Sequence, residues 1–252
     1  MVLGALAAGA LCYVWIAARF PPRGRQAWYF AGGYAVLVLA LLSPLDRGAA
    51  YLFTLHMLQH MLLLLAAPPL LALSVPPTLL GWVFQRPALR RILRALWRPV
   101  PALVLYNGTL LAWHLPAAYD ATLRSPWVHA IEHASFVVAG LIFWGVIVAP
   151  APALVRASYG VRLALLLASD VVNFILGFAL AFAGHPFYAG YVTAGRLWGL
   201  TPLEDLKLGG ALMWVMGQMM YAVPTLILIN VILWRDKGPA DPRRGGAVPR
   251  GE

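Results

Sequence analysis

Apolar positions gather into seven long runs, at about residues 3–19, 27–43, 50–74, 101–118, 128–149, 162–183 and 208–234, separated by short connections holding most of the charged residues. Several runs approach twenty residues without a charge, the length at which a helix crosses a hydrocarbon core of roughly 30 Å. The pattern predicts an all-α polytopic membrane bundle of about seven transmembrane helices over residues 1–237. In the connection 75–100 the periodicity changes. Leu89, Ile92, Leu93, Leu96 and Trp97 fall on one helical face, and Arg90, Arg91, Arg94 and Arg98 fill much of the rest. That predicts a short amphipathic helix near 86–98 lying in the membrane interface, with a solvated basic loop as the other reading. Residues 238–252, GPADPRRGGAVPRGE, are too rich in Gly and Pro to pack and are expected to form a disordered basic tail.

Composition strengthens the membrane assignment. The chain is 62% hydrophobic and 11% charged, whereas a soluble domain is about 45–50% apolar and about 25% charged. The single Cys12 excludes an internal disulfide framework. A net charge of +10 raises nucleic acid as a partner. The bases instead lie at span ends and in the tail, which suits anionic lipid headgroups and argues for no nucleic-acid partner. They are also unevenly shared. Connections 20–26, 75–100 and 150–161 and the tail are Arg-rich, and those between are poorer in bases. The positive-inside rule then puts the N-terminus outside and the C-terminus in the cytoplasm. The first run has no basic residue ahead of it and Arg19, Arg23 and Arg25 behind it, the charge order of an anchor rather than a cleaved signal.

With this orientation all six histidines fall in the outer half. His56 and His60 lie early in the third run, roughly 9 and 15 Å below its outer end at about 1.5 Å per residue. His114 closes the fourth run, and His129 and His133 open the fifth. The i, i+4 pairs each point along one helix face, so both imidazoles of a pair can reach one centre. Met57 and Met61 flank the first pair, and Met213, Met216 and Met220 share a face of the seventh run. Imidazole with thioether is a soft donor set that favours Cu(I). Ionisable groups within a span generally serve function, because they are costly against lipid. Other readings stand beside this one. Paired histidines also act as interhelical hydrogen-bonding glue, methionine stripes also fill cores, and His129 and His185 are also placed as wetted loop ends. Asp170 with Asn173 reads either as a buried polar pair or as a proton-handling group. No nucleophile triad, phosphate-binding glycine loop or Cys-x-x-Cys pair is present, so binding rather than enzymatic turnover is expected. A bis-His haem b electron-transfer protein, with His60 and His133 as axial ligands, is the main alternative. A metal or proton transporter is the second.

Three stretches resemble the CtaG-type cytochrome c oxidase assembly factors: SPLDRGAAYLFTLHMLQHMLLLLAAPPLLALSVP (43–76), WHLPAAYDATLRSPWVHAIEHASFVVAGLIFW (113–144) and RLWGLTPLEDLKLGGALMWV (196–215). The resemblance covers roughly residues 30–235 and implies about seven membrane helices in the bacterial inner membrane. It further implies partners among oxidase subunits or other assembly factors, with a homodimer possible, and delivery of copper. The matching positions are Asp46, His56, Gln59, His60, His114, Asp120, His129, Glu132, His133 and Asp205. Leu206, Lys207 and His185 depart from the family pattern. Together with the spacing argument, this gives His56 and His60 as core Cu(I) ligands, joined by His133 or His114, with His129 nearby. Met57, Met61, Met213 and Met216 are expected as auxiliary or transfer ligands. Asp46, Gln59, Asp120, Glu132 and Asp205 are expected to support the imidazoles from behind.

Overall fold

Proline starts many of the helices. Pro44, Pro77, Pro87, Pro99, Pro116, Pro126 and Pro202 each occupy a first helical position, where the missing N–H has no partner to lose and the fixed φ suits the helix. A computed structural model describes residues 2–150, 157–195 and 197–236; the tail 238–252 lies outside the described residues. The elements are α1 Val2–Arg19, α2 Gln26–Leu42, α3 Pro44–Ala49, α4 Phe53–Met61, a wide π turn Leu62–Ala66, α5 Ala67–Ser74, α6 Pro77–Phe84 and α7 Pro87–Leu96. They continue as α8 Pro99–Trp113, α9 Pro116–Arg124, α10 Pro126–Val148, α11 Tyr159–Ala181, α12 Ala189–Thr193 and α13 Pro202–Asp236. Among the described residues there is no strand, and the fold is all-α as expected.

Among the described residues, five helices are long and apolar enough to cross a membrane: α1, the continuous rod Phe53–Ser74, α10, α11 and α13. α2 is apolar but has 17 residues, and α8 has 15. The run expected at 101–118 ends at Trp113, because Leu115 precedes a proline and takes an extended conformation before α9 begins. The third run starts at Phe53 rather than near 50. His56 and His60 therefore lie about 4 and 10 Å from the start of their helix, nearer than expected. The amphipathic segment does form a helix, α7, with none of its residues buried.

The π turn has a local cause. Pro68 lacks the N–H that would bond the Leu64 carbonyl four residues back, and its ring would crowd that carbonyl. The chain widens instead, with the Ala67 N–H reaching Leu62 O. Trp144 Nε1 on α10 takes over the stranded Leu64 oxygen at 3.1 Å. Gly140 sits against Pro68 and the Leu64 carbonyl, and a Cβ there would lie 2.6 Å from Pro68 Cγ. The A-P-P segment therefore both bends the rod and fixes how closely α10 approaches it. α11 packs along α13. At that crossing Gly177 meets the Trp214 backbone and Gly210 meets Leu180 and Ala181, with no room for a side chain at either glycine. The seam also holds polar bonds, from Asn173 Nδ2 to Met213 O at 3.0 Å and from Gln218 Nε2 to Asp170 Oδ1 at 2.8 Å.

Candidate metal centre

Three helices, α4, α10 and α13, begin at one end of the bundle, where α8 and α11 finish. The start of α4 has no capping side chain of its own. Asp205, from the first turn of α13, supplies the cap. Its carboxylate accepts from Phe53 N (2.6 Å), Thr54 N (3.0 Å) and Thr54 Oγ1 (2.7 Å). A few residues earlier, Thr201 and Glu204 form a reciprocal capping pair at the start of α13. These contacts fix the height of α4 and hence of its histidines.

One to two turns further along α4, the side chains of His56 and His60 meet α10. Ligand atoms of His56, His60, Glu132 and His133 all lie within 4.8 Å of one another, and all four residues are buried. His56 Nε2 lies 3.5 Å from Glu132 Oε2, His60 Nε2 lies 3.5 Å from Glu132 Oε1, and the carboxylate is fully buried. His129 borders the group, with Nε2 at 3.9 Å from Glu132 Oε2 and its side chain 27% exposed.

The hydrogen-bond pattern here is unusual. Both Glu132 oxygens, both His60 ring nitrogens and the Nε2 atoms of His56, His129 and His133 are buried without a hydrogen-bond partner. Buried polar atoms are nearly always paired. A spacing of 3.5 Å exceeds an ordinary N–H···O bond of 2.7–3.2 Å. It is close to the separation, about 3.3 Å, of two donors that each stand about 2.0 Å from one tetrahedral ion. These residues fit a metal ion on their own geometry.

A tyrosine layer covers the cluster. Tyr191 of α12 lies 2.9 Å from His56 Nδ1, donates to Ala49 O at 2.8 Å, and lies 3.2 Å from the Tyr119 hydroxyl. Burial pushes the Tyr191 and Tyr188 phenols up, so each stays protonated with one proton to give. Tyr191 gives its proton to Ala49, so His56 Nδ1 must be the donor in their contact. With Nδ1 as the donor to Tyr191, His56 turns its other ring nitrogen, Nε2, toward the Glu132 carboxylate at 3.5 Å. Phe53, Tyr119 and Tyr188 stack above, with the Tyr119 and Tyr188 rings 4.0 Å apart.

The other expected residues separate into distinct jobs. Glu132, expected behind the imidazoles, stands among their donor atoms. Asp205 reaches no imidazole and caps α4. Asp120 accepts from Ala189 N and Gly190 N, holding the start of α12 and so Tyr191 in place. Asp46 accepts from Gln59 Nε2, which also donates to Ala40 O, tying α2 and α3 to α4. His114 bonds Leu110 O through Nδ1 (2.7 Å), and its Nε2 lies 3.4 Å from Met57 Sδ. Met61 is buried. Gly209 of α13 lies against Phe53 and Thr54, which places Met213 and Met216 near the depth of the histidines; Met213 is buried and Met216 half-buried. His185 is exposed and meets Phe187 edge to face. Sequence reasoning did not single out Tyr119, Tyr188 or Tyr191. Their signal was the tyrosine content of the connections, in AAYD and FYAGY.

Three mycobacterial proteins, all uncharacterised, are similar to this chain. Those of Mycobacterium bovis and Mycobacterium tuberculosis are each 26% identical over 221 residues, covering 80% of this chain and 32% of their own length. That of Mycobacterium leprae is 26% identical over 228 residues, covering 84% of this chain and 34% of its own. The chain thus spans about a third of the length of these relatives. No solved structure gives a significant match. The model of the cytochrome c oxidase caa3 assembly factors (Caa3_CtaG) matches residues 11–235, nearly the whole described bundle and every residue of the histidine–glutamate cluster, and the chain belongs to that family.

Proposed function

We propose that this protein holds Cu(I) between His56, His60, His133 and Glu132 and passes it to the copper centre of a cytochrome c oxidase during assembly. The observation that carries the reading is the set of buried, unpartnered nitrogens and oxygens converging on one point. Charge supports a monovalent ion. Glu132 contributes one negative charge in a water-poor interior, and one positive charge cancels it, whereas a divalent ion leaves a net charge that is costly to bury. Imidazole nitrogen selects copper over alkali cations. Copper here is cargo. Tyr191 fixes the tautomer of His56, Asp120 steadies Tyr191, and the half-exposed His129 lies between the cluster and the surface, on a route for loading and release. The compactness of the group favours an ion over a haem held by His60 and His133, since the ligand atoms of those two residues lie within 4.8 Å of each other and of those of His56 and Glu132, which crowds the place a haem ring needs.

The reading places the protein in a bacterial inner membrane, with the cluster in the outer half, near the side where an oxidase subunit can receive the ion, and Arg-rich connections against the cytoplasmic lipids. The test is copper analysis of purified protein beside oxidase activity in cells, for wild type and His56→Ala/His60→Ala. The expected outcome is copper bound to wild type, its loss in the double variant, and loss of oxidase activity with it. Unchanged copper with lost oxidase activity identifies a scaffold instead, and a strong Soret band in the purified protein identifies a haem protein.

A further inference from the structure

The contact between His114 and Met57 lies beside the Glu132 cluster but is not part of it. His114 follows the last residue of α8 and is buried, as is Met57. The His114 Nδ1 atom lies 2.7 Å from the Leu110 carbonyl, and a carbonyl only accepts, so the proton resides on Nδ1. Tyr188 holds the His114 backbone oxygen at 3.1 Å and steadies the residue further. His114 Nε2 is therefore a lone pair, and it faces Met57 Sδ, also an acceptor, at 3.4 Å. Neither atom has a proton to offer the other.

Nitrogen about 2.0 Å and sulfur about 2.3 Å from one ion at the tetrahedral angle stand about 3.5 Å apart. The observed separation matches. Neutral imidazole with thioether, without a carboxylate, is also a softer set than the one around Glu132. Between the two places stands His60. Its ring lies 4.3 Å from that of His56 and 6.2 Å from that of His114, and neither of its nitrogens has a partner. Nε2 faces Glu132, which leaves Nδ1 for the other side.

We infer that His114 and Met57 form a second, softer Cu(I) position, linked through His60 to the Glu132 cluster, so that the ion moves between two adjacent places on its way through the protein. This rests on the copper reading above and adds a site to it. No bond to carbon forms or breaks and no electron moves; one donor set replaces another around the same ion.

The test uses the full chain in detergent, titrated anaerobically with Cu(I) against a competing chelator, with X-ray absorption at the copper edge after one and two equivalents. The expected wild-type result is two equivalents bound, the second bringing a sulfur neighbour near about 2.3 Å. Met57→Leu keeps the volume of the side chain; it is expected to lose the sulfur neighbour and weaken the second equivalent at least tenfold, with the first equivalent as internal reference. His114→Gln is expected to do the same, and thermal unfolding of both variants checks their folding. A wild type that binds one equivalent with nitrogen and oxygen neighbours alone overturns the second position and leaves the first. A Met57→Leu variant that retains the sulfur signal assigns it to another methionine and overturns the inference too. Wild type that takes up no Cu(I) overturns the copper reading itself, and a single sulfur-bound equivalent retains the His114–Met57 position while removing the one at Glu132.

Discussion

Two buried carboxylates sit little more than one turn apart beside the same helix, and their surroundings differ completely. Asp205, at the start of α4, accepts from two backbone N–H groups and a threonine hydroxyl. Glu132, further along, faces three imidazoles and accepts a hydrogen bond from none of them. Burial alone does not distinguish a structural acid from a functional one, since both are nearly inaccessible. The hydrogen-bond inventory does. A carboxylate whose lone pairs are filled by fixed donors holds the fold together. One that has no fixed donor and faces ring nitrogens beyond hydrogen-bond range is the group on which the proposed copper site rests.

This contrast can be broken by substitution. The largest effect belongs to Asp205→Ala, which strands the Phe53 and Thr54 backbone N–H groups in the bundle interior at about 1–3 kcal/mol for each, while Thr54 Oγ1 keeps the backbone carbonyl of position 205 as its acceptor. It is expected to destabilise the protein by several kcal/mol, read as a lower unfolding midpoint in detergent, with Asp205→Asn recovering part of the loss. A midpoint equal to wild type shows that the cap does not hold α4 in place. Next comes Tyr191→Phe, which removes the acceptor for His56 Nδ1–H and frees the tautomer. Losing an orienting partner of this kind lowers metal affinity about 10–100-fold. Cu(I) affinity is expected to fall at least tenfold while the helical content stays at the wild-type level, and an unchanged affinity removes Tyr191 from the site. The smallest effect belongs to Asp120→Ala, which uncaps α12 at about 1 kcal/mol. It is expected to raise hydrogen exchange at Ala189 and Gly190 and leave α4 protected. Equal loss of protection along α4 contradicts the separation of the covering layer from the bundle.

Much of this was legible in the sequence, for identifiable reasons. Helical spans are read from uninterrupted apolar runs, and the i, i+4 histidine pairs put their rings on one face of α4 and one face of α10, so their meeting followed from geometry that periodicity already encodes. The ends of the spans were less legible. Pro116 stops α8 at Trp113, and an apolar count carries on across the break. The division of labour among the acids was not legible at all. Asp205 and Phe53 are 152 residues apart, and whether a carboxylate meets an N–H or an imidazole is decided by which helices stand side by side. The tyrosine layer was hidden for the same reason, as Tyr191 reaches His56 across 135 residues. The π turn lay between these cases. The Pro68–Pro69 pair marks the disturbance, but only the Trp144 partner on α10 explains why the chain tolerates it.

The most direct test of the central claim is a Cu(I) competition titration of detergent-solubilised wild type and Glu132→Gln, with the unfolding midpoint of each measured before and after loading. An ion held by the folded state alone stabilises it, by about 2.7 kcal/mol at a free concentration one hundred times the dissociation constant. The account predicts a copper-dependent rise in the midpoint for wild type, at least a tenfold loss of affinity in Glu132→Gln, and a metal-free variant at least as stable as metal-free wild type, because an unpaired buried charge has been removed. Equal Cu(I) affinity in the two proteins, or a metal-free variant that unfolds well before wild type, contradicts it.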